Sequence, residues 1–170
     1  MKNAYEVKEN TIVIKVIYLG EEYDYTIDRD AFDFVNAYKG TWHRKSDGYA
    51  YANFRKNGQT SQISMQRFLM KPKKHLLVDH INRDVTDNRR RNLRIVTKGQ
   101  NTQNISIFGN KRNTSGHRNI SMRGKKYEVQ IKGKYLGRHD TLEKALKVRD
   151  ENLKILQPFA YECYEDKPSS

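Results

Sequence analysis

From Thr11 to Leu19 the chain reads Thr-Ile-Val-Ile-Lys-Val-Ile-Tyr-Leu, β-branched and aromatic almost throughout, and the run stops at Gly20. Such residues suit a pleated, half-buried surface, so a strand is predicted. Tyr23 to Ile27 alternates polar and apolar positions and predicts a second strand after a turn. Asp28 or Asp30 is placed to cap a short helix through Ala31–Val35, and Trp42 to Phe54, interrupted by Gly48, predicts a hairpin. The aromatic residues of this region read as a thin core rather than a base-stacking platform. Residues 63–70 have helical apolar spacing and end before Pro72, which blocks helix propagation. Then come Leu76-Leu77-Val78-Asp79-His80-Ile81-Asn82, a polar loop from Arg83 to Asn92, Leu93-Arg94-Ile95-Val96-Thr97, and a polar stretch through Asn104. This predicts two short strands and a helix, with Asp79 and His80 closing the first strand and Asn101 in the helix.

Ile105 to His117 is rich in Asn, Gly and Ser and reads as a linker. Beyond it, Arg118–Met122, Tyr127–Lys132 and Lys134–Arg138 predict a three-stranded meander, with Val129 and Ile131 inward and Glu128, Gln130 and Lys132 outward. Thr141 is placed to cap a following helix, Glu143 suits its first turn, and Leu142, Ala145, Leu146, Leu153 and Leu156 form its apolar stripe. The expected class is therefore α+β. The expected divisions are a β-rich region at 1–62, a ββα core at 63–106, a linker at 107–116, a sheet-plus-helix module at 117–163 and a tail at 164–170.

Charge narrows the partner. Lys and Arg number 33 against 20 Asp and Glu, for a net charge of +13 over 170 residues, which favours a polyanion over an acidic small molecule. Residues 71–104 hold 9 basic and 3 acidic side chains and residues 105–140 hold 9 and 2, whereas 1–70 hold 10 and 9. Two adjoining basic blocks fit a footprint on a phosphate backbone. No stretch approaches the roughly 20 apolar residues of a spanning helix, so membrane partners are not expected. The opening residues show no apolar targeting core, which points to the cytoplasm. The single cysteine, Cys163, excludes an intramolecular disulfide and a paired-cysteine structural zinc.

The central stretch carries the chemistry. Phosphodiester hydrolysis needs a water made nucleophilic and a cation that neutralises charge on the reacting phosphate. His80 can accept a proton near neutral pH. Asp79 and Asn101 offer hard oxygen atoms suited to Mg²⁺ or Mn²⁺. An Asp-His pair alone is more often a hydrogen-bonded strand end; it is the ordered set within a basic segment that points to a nuclease. His75 reads as a loop residue, and His43, His117 and His139 show no metal spacing.

Val78-Asp79-His80-Ile81-Asn82, Asp87-Asn88-Arg89, Asn92-Leu93-Arg94-Ile95-Val96-Thr97 and Gln100-Asn101 resemble the ββα-metal motif of HNH homing endonucleases of phage type. The resemblance runs from Met65 to about Asn104. It implies His80 as general base, Asp79 and Asn101 as ligands of one divalent cation, and Asn92 as the residue that braces the loop and orients His80. Asn101 stands where other members carry histidine, which favours Mg²⁺ or Mn²⁺, and Gln66 stands where relatives commonly carry histidine. In that setting Arg67, Arg89, Arg90, Arg91, Arg94 and Lys98 are candidates to grip phosphates.

Asn113-Thr114-Ser115-Gly116-His117-Arg118-Asn119-Ile120, Lys126-Tyr127-Glu128-Val129-Gln130-Ile131, Tyr135-Leu136-Gly137 and Asp140 to Ala145 resemble an AP2-type DNA-binding domain. That resemblance implies that the sheet enters the major groove, with Arg118, Arg123, Gln130, Lys132 and Arg138 as candidate contacts. Tyr127, His139 and Arg149 depart from residues common in that family. A small basic sheet that only clings to phosphates is the plainer alternative.

Together these features predict a DNA endonuclease of homing type acting on double-stranded DNA, with no small-molecule substrate and a monomer slightly favoured. The rival readings are a sequence-specific DNA-binding regulator with a silent nuclease motif and, more distantly, an RNA-binding protein.

Overall fold

The computed structural model describes residues 1–56, 58–104 and 113–160. The chain forms two compact units, one built on Met1–Lys98 and the other within Gly99–Lys167. The fold is α+β, in several small sheets. The expected linker falls largely on residues outside the described ones, as do Cys163 and the expected tail at 164–170.

The first unit opens with β1 (Tyr5–Val7), β2 (Thr11–Tyr18) and β3 (Glu21–Asp28), ordered β1-β2-β3 and antiparallel. Leu19 and Gly20 both take positive φ, 51° and 85°. Two consecutive left-handed residues form the two-residue turn that matches strand twist, which explains why the apolar run stops there. Ile12, Ile14, Val16, Tyr25 and Ile27 are buried. On the outer face Lys15 is ringed by Asp24, Glu6 and Glu22 at 2.8, 3.1 and 3.4 Å, and these carboxylates raise its pKa.

Next come a single 3-10 turn at Arg29–Ala31 and helix α1 (Phe32–Asn36). Neither Asp28 nor Asp30 caps α1. Asp28 sits before the 3-10 turn without a side-chain cap bond, and its Oδ2 accepts the backbone N–H of Arg90 at 2.7 Å.

The predicted hairpin is a three-stranded sheet, β4 (His43–Arg44), β5 (Ala50–Lys56) and β6 (Gln59–Ser64). Helix α2 (Met65–Met70) therefore starts two residues later than expected, and Ile63 and Ser64 belong to β6. Trp42, Ala50, Ala52 and Met65 join the residues of the first sheet in one core. Trp42 is 1 % exposed and Tyr25 is fully buried, so both act as scaffold. The strands β7 (Leu77–His80) and β8 (Leu93–Val96) pair antiparallel, and α2 packs on both.

In the second unit β9 (Ile120–Arg123), β10 (Lys126–Ile131) and β11 (Lys134–His139) form an antiparallel sheet with β10 central. Helix α4 (Leu142–Leu156) covers it. Thr141 caps the helix through Oγ1, which accepts the Lys144 N–H at 3.3 Å. Val129 and Ile131 are fully buried, against Ala145 and Leu153 respectively. Two expectations shift. Arg118 precedes β9 instead of opening it, and Lys132 lies in the β10–β11 turn at φ 49°, beside Gly133 at φ 79°. The alternation that placed Lys132 outward ends at Ile131.

Candidate active site

The site is assembled where β7 ends. Register sets Asp79 opposite Arg94 and His80 opposite Leu93. Arg94 reaches across the strand pair and donates from Nε and Nη2 to the same Asp79 oxygen, at 2.8 and 2.6 Å. Both side chains are about a tenth exposed, 12 % and 10 %, so each charge compensates the other in a place where an unpaired one would be costly.

The loop after His80 is held from inside. The Ile81 N–H donates to the Asn92 carbonyl at 2.8 Å. Asn92, fully buried, accepts the Asn82 N–H on Oδ1 at 2.9 Å and donates Nδ2 to the Asp87 carbonyl at 2.8 Å. Asn82 and Asp84 close tight turns by accepting N–H groups two residues on, from Asp84 and Thr86, at 2.8 and 2.9 Å. Short polar side chains do this readily, which is why the loop is rich in Asn and Asp. Strand β3 pins the far side: Thr26 donates its N–H to the Thr86 carbonyl and accepts that of Asn88, at 2.9 and 2.8 Å.

His80 is 3 % exposed. Burial pushes its pKa below the ordinary 6.5, against the opposing pull of a hydrogen bond with Asn88 and of Asp79, Asp84 and Asp87. Its Nε2 lies 3.3 Å from Asn88 Oδ1 and its ring 5.8 Å from that of Tyr49. Burial thus favours the neutral imidazole, the form that can act as a base.

The basic candidates differ in what they touch. Arg89 forms a two-point pair with Asp87, both contacts 2.7 Å, and this raises its pKa. Arg90 pairs with Asp30 at 3.1 Å on the surface. Arg67 donates to the Leu76 carbonyl at 2.7 Å, tying α2 to β7. Arg91 and Lys98 are exposed. In the second unit Arg118 donates to the Gln103 carbonyl, Arg138 pairs with Glu128 at 3.1 Å, and Gln130 donates to the Gly133 carbonyl at 3.2 Å. Arg123 and Lys132 are exposed. Arg149 is buried at 7 % and donates to the Arg118 carbonyl at 3.5 Å.

Asp79, His80, Asn92 and Arg94 are brought together. Asn101 ends helix α3 (Lys98–Asn101) within the second unit, and its pairing with Asp79 rests on the motif. No cluster of three or more His, Cys, Asp or Glu side chains able to hold a metal occurs among the described residues. One carboxylate and one amide fit instead a hard divalent ion that keeps water and phosphate oxygens for its other positions. A cleft of about 610 Å³ lies elsewhere, lined by Glu9, Asn10, Asp28, Arg29, Asp30 and Arg90. Its excess of carboxylates has the wrong sign for phosphate.

With this geometry in place, the comparison with known families is decisive for one segment. Residues 72–103 match the HNH endonuclease family. The match spans β7, the braced loop, β8 and α3, and it supports a nuclease acting on DNA. HNH nucleases generally use a divalent metal. No match was found among curated proteins or among solved structures.

Two features escaped the sequence reading. Asn88 was quoted only as part of a motif, yet it is 1 % exposed and meets His80. The near-neutral total of residues 1–70 also hides a split. Residues 1–38 carry 4 basic and 8 acidic side chains, and residues 39–70 carry 6 and 1. Of those six, Arg44, Arg55 and Lys56 lie in strands of the second sheet, whose outer face sets Asn53 opposite Gln62 and Arg55 opposite Thr60. A shorter charge window would have found it.

Proposed function

We propose that this chain is a site-specific DNA endonuclease of homing type, acting in the cytoplasm on double-stranded DNA. The observation that carries the reading is a buried His80 beside Asp79 at the end of β7, within the segment that matches the HNH family. His80 takes the proton of the attacking water, and its burial keeps bulk water from the base. Asp79 and Asn101 are the oxygen ligands of one Mg²⁺ or Mn²⁺ ion. When bound, that ion supplies positive charge at the reacting phosphate and the departing 3′ oxygen. Asn92 holds the loop so that His80 stays at the strand end. Arg91 and Lys98, both exposed, set phosphates near the cut, and Arg67, Arg89, Arg90 and Arg94, already bonded within the protein, are the weaker grips.

The module at 117–163, read as AP2-like, selects where cutting occurs, with Arg118, Arg123, Gln130, Lys132 and Arg138 toward DNA. The exposed side chains of Arg123 and Lys132 are the stronger phosphate contacts there, because Arg138 and Arg118 have protein partners. The outer face of β4–β6 adds contacts with amide and guanidinium groups suited to base edges.

A binding-only protein is favoured by one observation, the Asp79–Arg94 pair, which neutralises a metal ligand. Product chemistry separates the two. A nuclease of this kind leaves 5′-phosphate and 3′-hydroxyl ends that ligase reseals directly. DNA that is bound yet left intact across Mg²⁺ and Mn²⁺ titrations supports binding alone.

A further inference from the structure

We infer that Tyr49 is a substrate-binding residue of this site, its hydroxyl donating a hydrogen bond to a phosphate oxygen of the DNA strand beside His80. This rests on the nuclease reading only for what the contact does to cutting. The turn that leads into β5 sets the geometry. Gly48 takes φ 87°, and a Cβ there would lie 3.1 Å from Val85 Cγ2, so the turn sits directly against the loop that follows β7. The Gly48 carbonyl accepts the Tyr25 hydroxyl and, at 3.0 Å, Arg44 Nη1. The Tyr49 backbone is tied at both of its polar groups: its N–H donates to Asp47 Oδ1 at 3.1 Å, and its carbonyl accepts the Lys45 N–H at 3.2 Å. Held in this way, the side chain lies against the base, with ring centroids of Tyr49 and His80 5.8 Å apart.

Neighbouring tyrosines show what is unusual about this one. The Tyr51 hydroxyl is committed to Asp47 Oδ2 at 2.7 Å, and the Tyr25 hydroxyl to the Gly48 carbonyl. Among the described residues the Tyr49 hydroxyl has no hydrogen-bond partner, and it is not one of the polar atoms sealed from solvent. Tyrosine hydroxyls in half-buried places normally find a partner, and a site built around a water-activating base brings a phosphate to this spot. Burial, then the charges of Asp47 and Asp79, push its pKa above the ordinary 10, so the group stays a donor at neutral pH. Ala50 and Ala52 turn into the core, which leaves Tyr49, Tyr51, Asn53 and Arg55 on the opposite face of β5 by strand alternation. Polar and cationic groups in such a line suit a phosphate backbone, and Tyr49 is the member next to His80.

The test uses Tyr49→Phe in the full-length protein, because phenylalanine keeps the ring against His80 and removes only the hydroxyl. Single-turnover nicking of supercoiled DNA with Mg²⁺, at saturating protein, should be about 10- to 100-fold slower than wild type, the range for a hydrogen bond to a charged acceptor. A residue that only packs against the base would leave the variant at the wild-type rate, and that result overturns the inference. A second readout needs no cutting. In EDTA and low salt, a short mixed-sequence DNA duplex should shift the ¹H–¹³C ring signals of Tyr49 in wild-type protein and leave those of Tyr25, which is fully buried, in place. Unmoved Tyr49 signals on DNA that the protein binds overturn the inference as well, and they decide alone if Tyr49→Phe does not fold. Shifted Tyr49 signals in a protein that never cuts DNA with Mg²⁺ or Mn²⁺ refute the nuclease reading and leave the DNA contact standing.

Discussion

Replacing Asn92 by alanine probes the brace that holds the catalytic loop. Asn92 is fully buried and satisfies two backbone groups with one side chain, the Asn82 N–H at 2.9 Å and the Asp87 carbonyl at 2.8 Å. Alanine leaves both without that partner. A buried polar group stripped of its hydrogen bond costs about 1–3 kcal/mol. Asp87 is buried and Asn82 half-buried, so water can replace one bond better than the other, and we take about 2–4 kcal/mol in total. That is a large part of the roughly 5–15 kcal/mol by which domains are stable. For a unit of this size it lowers Tm by on the order of 10 °C. Urea melts of Asn92→Ala and of the exposed control Asn53→Ala in EDTA provide the assay, and the control is expected within about 0.5 kcal/mol of wild type. Asn92→Asp keeps the acceptor but faces the Asp87 carbonyl with a carboxylate, and should fall between the two. An Asn92→Ala protein within about 1 kcal/mol of wild type would refute the brace.

Arg94→Ala strands the Asp79 carboxylate and should destabilise the metal-free protein by about 3 kcal/mol; Mn²⁺ should then raise its Tm more than that of wild type, and equal shifts would show that Arg94 does not compete with the cation. His80 adds a pH dependence in EDTA. Its folded pKa lies below the ordinary 6.5, so as pH falls through 6.5 the unfolded chain gains a proton that the folded one refuses. Stability is therefore lost from about pH 6.5 downward until the folded pKa is reached, and His80→Gln should flatten the urea midpoint between about pH 8 and 5.5. Arg123→Ala and Lys132→Ala should each reduce the slope of log K against log salt for duplex binding by about one, measured by fluorescence anisotropy, while Arg138→Ala, already paired with Glu128, should change it less.

The strands β2, β3, β7 and β8 and the order of three strands and a helix in the second unit were legible because their apolar periodicity is strong and their turns carry Gly or Asn. Strand β1 was not legible. Its three residues, Tyr5, Glu6 and Val7, are too few for a period to show, and all are exposed, so it exists by pairing with β2. Strand β6 was missed for a related reason: Gln59 to Gln62 are exposed, and an edge strand that is polar on both faces shows no alternation. Lys132 was assigned to a strand because alternation cannot detect a positive φ; only the following Gly133 hinted at the turn. In the site, Asp79, His80 and Asn92 could be read from their order. The pairing of Arg94 with Asp79 depends on strand register, and the contact of Asn88 with His80 on how a 12-residue loop folds back. Neither is a property of local sequence.

No helix among the described residues is long and apolar enough to cross a membrane. A net charge of +13 favours a polyanionic partner. The most direct measurement is conversion of supercoiled plasmid or phage DNA to nicked or linear form by purified protein with Mg²⁺, Mn²⁺ or EDTA. A His80→Ala variant, first shown to fold and to bind DNA as wild type does, runs alongside. The account predicts metal-dependent cutting by wild type and none by the variant. Cutting that survives in EDTA, or that the variant performs at the wild-type rate, would contradict it.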